Sequence, residues 1–218
     1  MKIKKQVVCF VTAASFLLAL TGCSDSRNAQ MANELHFSLD GISDVTISYD
    51  EEPITFFETD SDELVIKEYM TKNKDSYYAD VRQKSGSICI SEGGKPLFKK
   101  GFSRYVEVYL PASYRENLTI TTTDGNMDLS GVDLQLSALR IDSTAGTVEI
   151  NNAAASDIHL SSTSGTLKMG SIKADTIKLD TTSGNVICDE LNGRVTYVST
   201  SGDTEIKSAS GSGSYKAE

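Results

Sequence analysis

Asp128 and Glu149 are the carboxylates whose spacing comes nearest to a catalytic pair. Each stands three positions after a glycine in a repeated pattern, on a column facing away from the apolar side. If successive repeats stack as neighbouring strands, the two lie ~5 Å apart. That separation is compatible with retaining glycoside hydrolysis. Lys168, Ile187 and Glu205 continue the column, however, and the short linkers leave little material for a groove. A solvated charge ladder is the favoured reading, with a glycan hydrolase or lyase as the alternative. His36 and His159 stand alone, with no Cys or carboxylate at metal-ligand spacing, so no metal site is expected. The Ser-Gly bends lead into strands, not helices, and therefore lack the helix N-terminus of a phosphate-binding loop. No cofactor is expected. Arg140, His159 and Lys178 form a second outward column beside Asp142, Ser161 and Asp180. It reads as a surface contact stripe for an anionic glycan or a protein, or as charges that fix strand register.

The elements that would hold these columns follow from one repeat. Gly125, Gly146, Gly165, Gly184 and Gly202 are separated by 21, 19, 19 and 18 positions. Seven and five before each glycine stand Leu118/Ile120, Leu139/Ile141, Ile158/Leu160, Ile177/Leu179 and Val195/Tyr197. Two and four after it stand Met127/Leu129, Val148/Ile150, Leu167/Met169, Val186/Cys188 and Thr204/Ile206. Val132, Ala153, Ile172, Leu191 and Ala209 stand seven after. Alternate residues of a strand share a face, so each pair marks a short half-buried strand. The pairs lie an odd number of positions apart across the glycine, so the chain must bend there. Glycine suits the bend through its access to positive φ and its missing Cβ. A period near twenty without helical patterning predicts an all-β, single-stranded β-solenoid, parallel β-helix-like, with about five regular coils over 118–209. Thr123, Thr144, Thr163, Thr182 and Thr200 form a column two before glycine, preceded by Thr122, Ser143, Ser162, Thr181 and Ser199. Stacked hydroxyls at a turn read as a structural corner ladder, with a flat threonine face for water, ice or sugar as the alternative.

Residues 1–22 carry Lys2, Lys4 and Lys5 and then the apolar run Val7 to Leu20, which has the form of a signal peptide. Leu20-Thr21-Gly22-Cys23 resembles the lipobox of bacterial lipoproteins. That resemblance implies cleavage before Cys23, lipidation of its sulfur, and a membrane partner reached through the N-terminal lipid. Residues 23–34 then read as a polar tether. Cleavage would remove three lysines and no acids, taking the formal charge from −9 to −12. So acidic a chain argues against nucleic acid as a partner. Cys89 and Cys188 would remain, and both are expected unpaired, Cys188 on an inward column.

Residues 35–117 read as less regular strands, among them Val45-Thr46-Ile47, Ile54-Thr55-Phe56, Leu64-Val65-Ile66 and Ile88-Cys89-Ile90. Around Gly86 the later pattern recurs in worn form, with Val81 five before and Ile88 and Ile90 two and four after. This part is expected to cap the solenoid's first edge, and 210–218 to be a flexible tail. Phe98, Phe102, Tyr105 and Tyr109 cluster with Lys95, Lys99, Lys100 and Arg104, a basic aromatic segment on an acidic chain. It reads as a hairpin loop entering a strand, with a ligand patch as the alternative.

Tyr105-Val106-Glu107-Val108-Tyr109-Leu110-Pro111, then Leu118-Thr119-Ile120, then serial bends such as Thr181-Thr182-Ser183-Gly184-Asn185-Val186 resemble the bacterial DUF4097 family of candidate adhesins. The resemblance spans roughly residues 40 to 210. It implies a solenoid-like β-repeat fold, a cell-envelope location, an association in some members with envelope stress, and no established activity. The expected function is a lipid-anchored, non-catalytic envelope module with a glycan or protein partner. A stress component that binds a membrane protein is the alternative.

Overall fold

The structure is a computed structural model describing residues 28–217. The strands before the regular repeat are β1 (Gln30–Ser38), β2 (Asp44–Ser48), β3 (Ile54–Thr59), β4 (Glu63–Met70), β5 (Asp80–Lys84), β6 (Ser87–Ser91) and β7 (Arg104–Pro111). The repeat supplies β8 (Asn117–Thr122), β9 (Met127–Asp128), β10 (Asp133–Ser143), β11 (Thr147–Ser162), β12 (Thr166–Thr181), β13 (Asn185–Ser199) and β14 (Thr204–Ala217). The coils are stacked in parallel register, so the fold is an all-β solenoid.

Inward alternation reverses phase three times per coil. Val148 and Ile150 are buried, then Ala153, then Ile158 and Leu160, then Gly165. Strand pairing skips residues at the corresponding corners, between Ile150 and Asn152 and between Ala155 and Asp157. Each coil therefore has a third short face beyond the two strands expected. One correction follows: the partner of Ala153 is Leu134, not Val132, because the first coil is two residues longer. Val132 is still buried, one corner earlier.

The apolar files are continuous. Ile90, Ile47, Ile120, Ile141, Leu160, Leu179 and Tyr197 lie in one row across seven strands. Val106, Ile54, Met127, Val148, Leu167 and Val186 form another on the next face. Both files begin before the regular repeat, because β2–β3 and β6–β7 are themselves coils of the stack. Their order in space differs from chain order: β2–β3 is sandwiched between β6–β7 and β8–β9. β1, β4 and β5 then pair antiparallel outside them.

Three expectations change. Residues 30–34, expected in the tether, belong to β1, whose register with β4 runs from Gln30↔Met70 to Ser38↔Glu63. The stretch 210–217, expected as a flexible tail, continues β14 in register with β13, from Ser210↔Asn192 to Ala217↔Ser199. Small residues suit that position: a Cβ on Gly211 would sit 2.2 Å from the Gly193 carbonyl oxygen. Gly86 is no coil bend. With Ser85 it turns the antiparallel β5–β6 hairpin, and both have positive φ. Val81 is accordingly exposed, and Ile88 and Ile90 belong to the pre-bend face.

The bend glycines are fixed chiefly by close approach. A Cβ on Gly165 would lie 2.1 Å from the Gly146 oxygen, and one on Gly125 would lie 2.2 Å from the Glu52 oxygen. Positive φ applies to Gly146 and Gly202 alone among the five. Glu52 thus takes the glycine's place in the β2–β3 coil.

Candidate interaction surface

The strand alternation that buries β4 and β7 also buries two charges. Leu64, Ile66 and Met70 point inward, and Glu68 shares their phase; Arg104 shares the phase of Val106, Val108 and Leu110. Arg104 is fully buried. Its Nη1 donates to the Tyr77 carbonyl at 2.7 Å and its Nη2 to Glu52 Oε1 at 3.0 Å. Nη2 also lies 2.7 Å from Glu92 Oε1. Arg104 Nε has no hydrogen-bond partner. Glu68 accepts from Asn33 Nδ2 and the Ala79 amide, each at 2.8 Å, and from the Tyr49 hydroxyl at 3.2 Å. Lys95 completes the cluster, its Nζ 2.7 Å from Glu92 and 3.3 Å from Glu52. Burial pushes the Glu52 carboxyl up, but a bond with Glu92 and the charges of Arg104 and Lys95 hold it below the ordinary range. Burial and then the Glu52 neighbour raise Glu92. The cluster locks the loop of residues 92–103 onto the β2–β3 bend.

That loop is the basic aromatic segment. Phe102 packs edge-on to Tyr77 with centroids 5.3 Å apart. Lys99 Nζ donates to both carboxylate oxygens of Glu51 at 2.6 Å. Leu97 and Phe98 project, 92% and 80% exposed. Tyr105 and Tyr109 lie on the outer face of β7, where Tyr105 stacks on Tyr69 at 4.5 Å and Tyr109 on Phe57 at 5.2 Å. The Tyr69 and Tyr109 hydroxyls both donate to Glu107 Oε2, at 2.9 and 3.0 Å. Burial, then that bond, raises both phenols, Tyr109 to about 12. These rings stack on one another and so stiffen the face; only Leu97 and Phe98 stand clear of it.

Asp128 and Glu149 are register neighbours, as the repeat requires. Asp128 accepts from the Ser130 amide and hydroxyl at 2.9 and 2.6 Å, and Glu149 pairs with Lys168 at 2.5 Å. Each carboxylate is thus held by a local partner on an open face. Arg140, His159 and Lys178 are brought into one row. Arg140 grips Asp142 through two bonds of 2.7 and 2.8 Å, and its Nη1 lies 2.6 Å from His159 Nδ1. Arginine can only donate, so Nδ1 accepts and Nε2 carries the proton toward Asp180 Oδ2 at 2.8 Å. Lys178 also meets Asp180 at 2.7 Å. The stripe is a continuous polar chain.

The threonine column Thr123, Thr144, Thr163, Thr182 and Thr200 is exposed. The corner bonds come instead from the buried column before it. Thr122 Oγ1 accepts from the Gly125 amide and Ser162 Oγ from the Gly165 amide, both at 3.0 Å. His36 is exposed on β1, near Glu34 and Glu63. Cys23 lies outside the described residues.

A family model described as Toastrack DUF4097 matches residues 42–218. The chain belongs to this family. Comparison with the curated proteins found no match. Among solved structures, a candidate cell adhesion protein from Clostridium sporogenes is 11% identical, with 85% of this chain and 98% of that one covered and a TM-score of 0.49. A candidate adhesin from Bacteroides fragilis is 15% identical, covering 90% and 100%, with a TM-score of 0.41.

In this Toastrack chain Cys89 and Cys188 are both free thiols. Burial pushes Cys188 up to about 11, which leaves it inert as a nucleophile. Among the described residues no group of three His, Cys, Asp or Glu side chains is placed to hold a metal. No described helix is long and apolar enough to cross a membrane. The ionic cluster is the feature that sequence reasoning missed. Its signal was present: a Glu and an Arg in the inward phase of otherwise apolar strands.

Proposed function

We propose that the protein is a lipid-anchored, non-catalytic module of the bacterial cell envelope that displays its outer columns for interaction. The observation that supports this is the register. Every coil holds its outward residues at strand spacing from the next, so polar columns such as Arg140–His159–Lys178 form fixed rows on a stiff support. The carboxylates nearest to a catalytic arrangement are each tied to a neighbour and open to solvent, which favours display over bond cleavage. Adhesion, the role named for the compared structures, is one task such a support can perform.

Two measurements test the reading. Metabolic labelling with a palmitate analogue should mark the wild type and not Cys23→Ser, which should be released from the membrane fraction. A screen against envelope glycans and crosslinked envelope proteins should return a binder weakened by Arg140→Ala with Lys178→Ala. Depolymerisation of a glycan, lost in Asp128→Asn, would replace display with catalysis.

A further inference from the structure

We propose that Leu97 and Phe98 form a membrane-contact tip, entering the headgroup region of the bilayer to which the N-terminus is tethered. The inference rests on the anchoring reading above and adds to it how the molecule sits on the membrane. Leu97 and Phe98, adjacent in sequence, are 92% and 80% exposed, the most exposed large apolar side chains among the described residues. Residues 95–104 contain Lys95, Lys99, Lys100 and Arg104 and no acid, whereas the chain as a whole carries −9. Asp50, Glu51, Glu52 and Glu92 face this loop, and Lys95, Lys99 and Arg104 are paired with them. Lys72 bonds to the Lys100 carbonyl at 2.9 Å, placing another ammonium beside the tip. Apolar side chains flanked by lysines match the interfacial zone of a bilayer.

The tip is presented on a fixed base. The Phe102 amide donates to the Lys99 carbonyl at 2.8 Å, and Thr71 Oγ1 to the Gly101 carbonyl at 2.9 Å. Insertion therefore requires little ordering of the loop.

The decisive placement is that of the chain's start. Gln30 pairs with Met70, and Met70 with Arg104, so β1 begins two strands from the residue at which this loop ends. Two strand spacings are ~10 Å. Seven residue steps from Cys23 to Gln30 span at most ~25 Å. An acyl chain on Cys23 would thus enter the bilayer at the end of the molecule that carries the 92–103 loop, so lipid and tip would load the same end.

The chain has no tryptophan, so Phe98→Trp supplies a single reporter. The full lipidated chain would be placed on vesicles of phosphatidylethanolamine and phosphatidylglycerol carrying brominated acyl chains. Blue-shifted emission and quenching are expected for Phe98→Trp and not for Ile187→Trp, which reports from the outward face of the regular coils. Leu97→Asp in the Phe98→Trp background should reduce quenching roughly tenfold with an unchanged melting curve. Palmitate labelling without quenching of the Phe98→Trp indole would overturn the tip and leave the anchor standing. Quenching without labelling would leave the tip standing and overturn the anchor. Protection of that indole only when another envelope protein is added would assign the tip to that protein and overturn the membrane contact.

Discussion

Arg104 shows what a single buried charge does in this fold. Its guanidinium has left water entirely and is compensated by Glu52, Glu92 and the Tyr77 carbonyl. Removing one partner of a buried pair strands the others, at about 3–5 kcal/mol. Arg104→Ala should therefore lower stability by that amount in denaturant melts, and protease should cut first within 92–103. A loss below about 1 kcal/mol would mean that the cluster does not hold the loop. Asp180 makes a smaller, pH-dependent case. Burial raises its carboxyl, but the bonds from Lys178 and His159 outweigh this and place it below its ordinary 3.8. The folded state then binds its proton less readily than the unfolded state. Its contribution is present above the ordinary value and is lost as pH falls through the depressed one. Asp180→Asn should lower Tm by about 1–3 °C at neutral pH and by less in acid. A Tm deficit that grew on acidification would contradict the assignment.

At the scale of elements, the bend is a ladder of glycines backed by a ladder of hydroxyls. Ser162 Oγ is the partner of the Gly165 amide inside the bend, whereas Thr163 faces solvent. Ser162→Ala should thus cost about 1–2 kcal/mol by leaving a buried amide unpaired, and Thr163→Ala less than about 0.5 kcal/mol. Equal effects in chemical melts would show that the two columns are not distinct. Gly165→Ala should cost about 1–3 kcal/mol, because the Gly146 oxygen occupies the added methyl's place. The bends were legible because glycine and Ser/Thr recur in each repeat. Which hydroxyl column bonds was not, because one residue's shift turns the side chain from core to solvent and the two columns carry the same residue types.

The whole molecule is a one-dimensional stack, and the readability of its sequence follows from that. The regular coils announce themselves because each must match its neighbour. The β2–β3 coil is hidden because Glu52 replaces its glycine, and β6–β7 because residues 92–103 interrupt the period between Ile90 and Val106. Their interleaved order depends on pairing at long sequence separation, which local alternation does not encode. In such a stack each coil is stabilised mainly by those on either side. Val186 is fully buried in the file between Leu167 and Thr204. Val186→Asp would place an unpaired carboxylate there. The outcome should be graded along the stack. Amides of β12, β13 and β14 should lose hydrogen-exchange protection, while those of β2, β3 and β7, four or more coils away, keep most of theirs. Uniform loss would mean that the stack folds as one cooperative unit, and unchanged exchange would remove Val186 from the core. Graded loss would also leave the 92–103 loop and its ionic cluster intact, so that end of the stack could be studied apart from the regular coils.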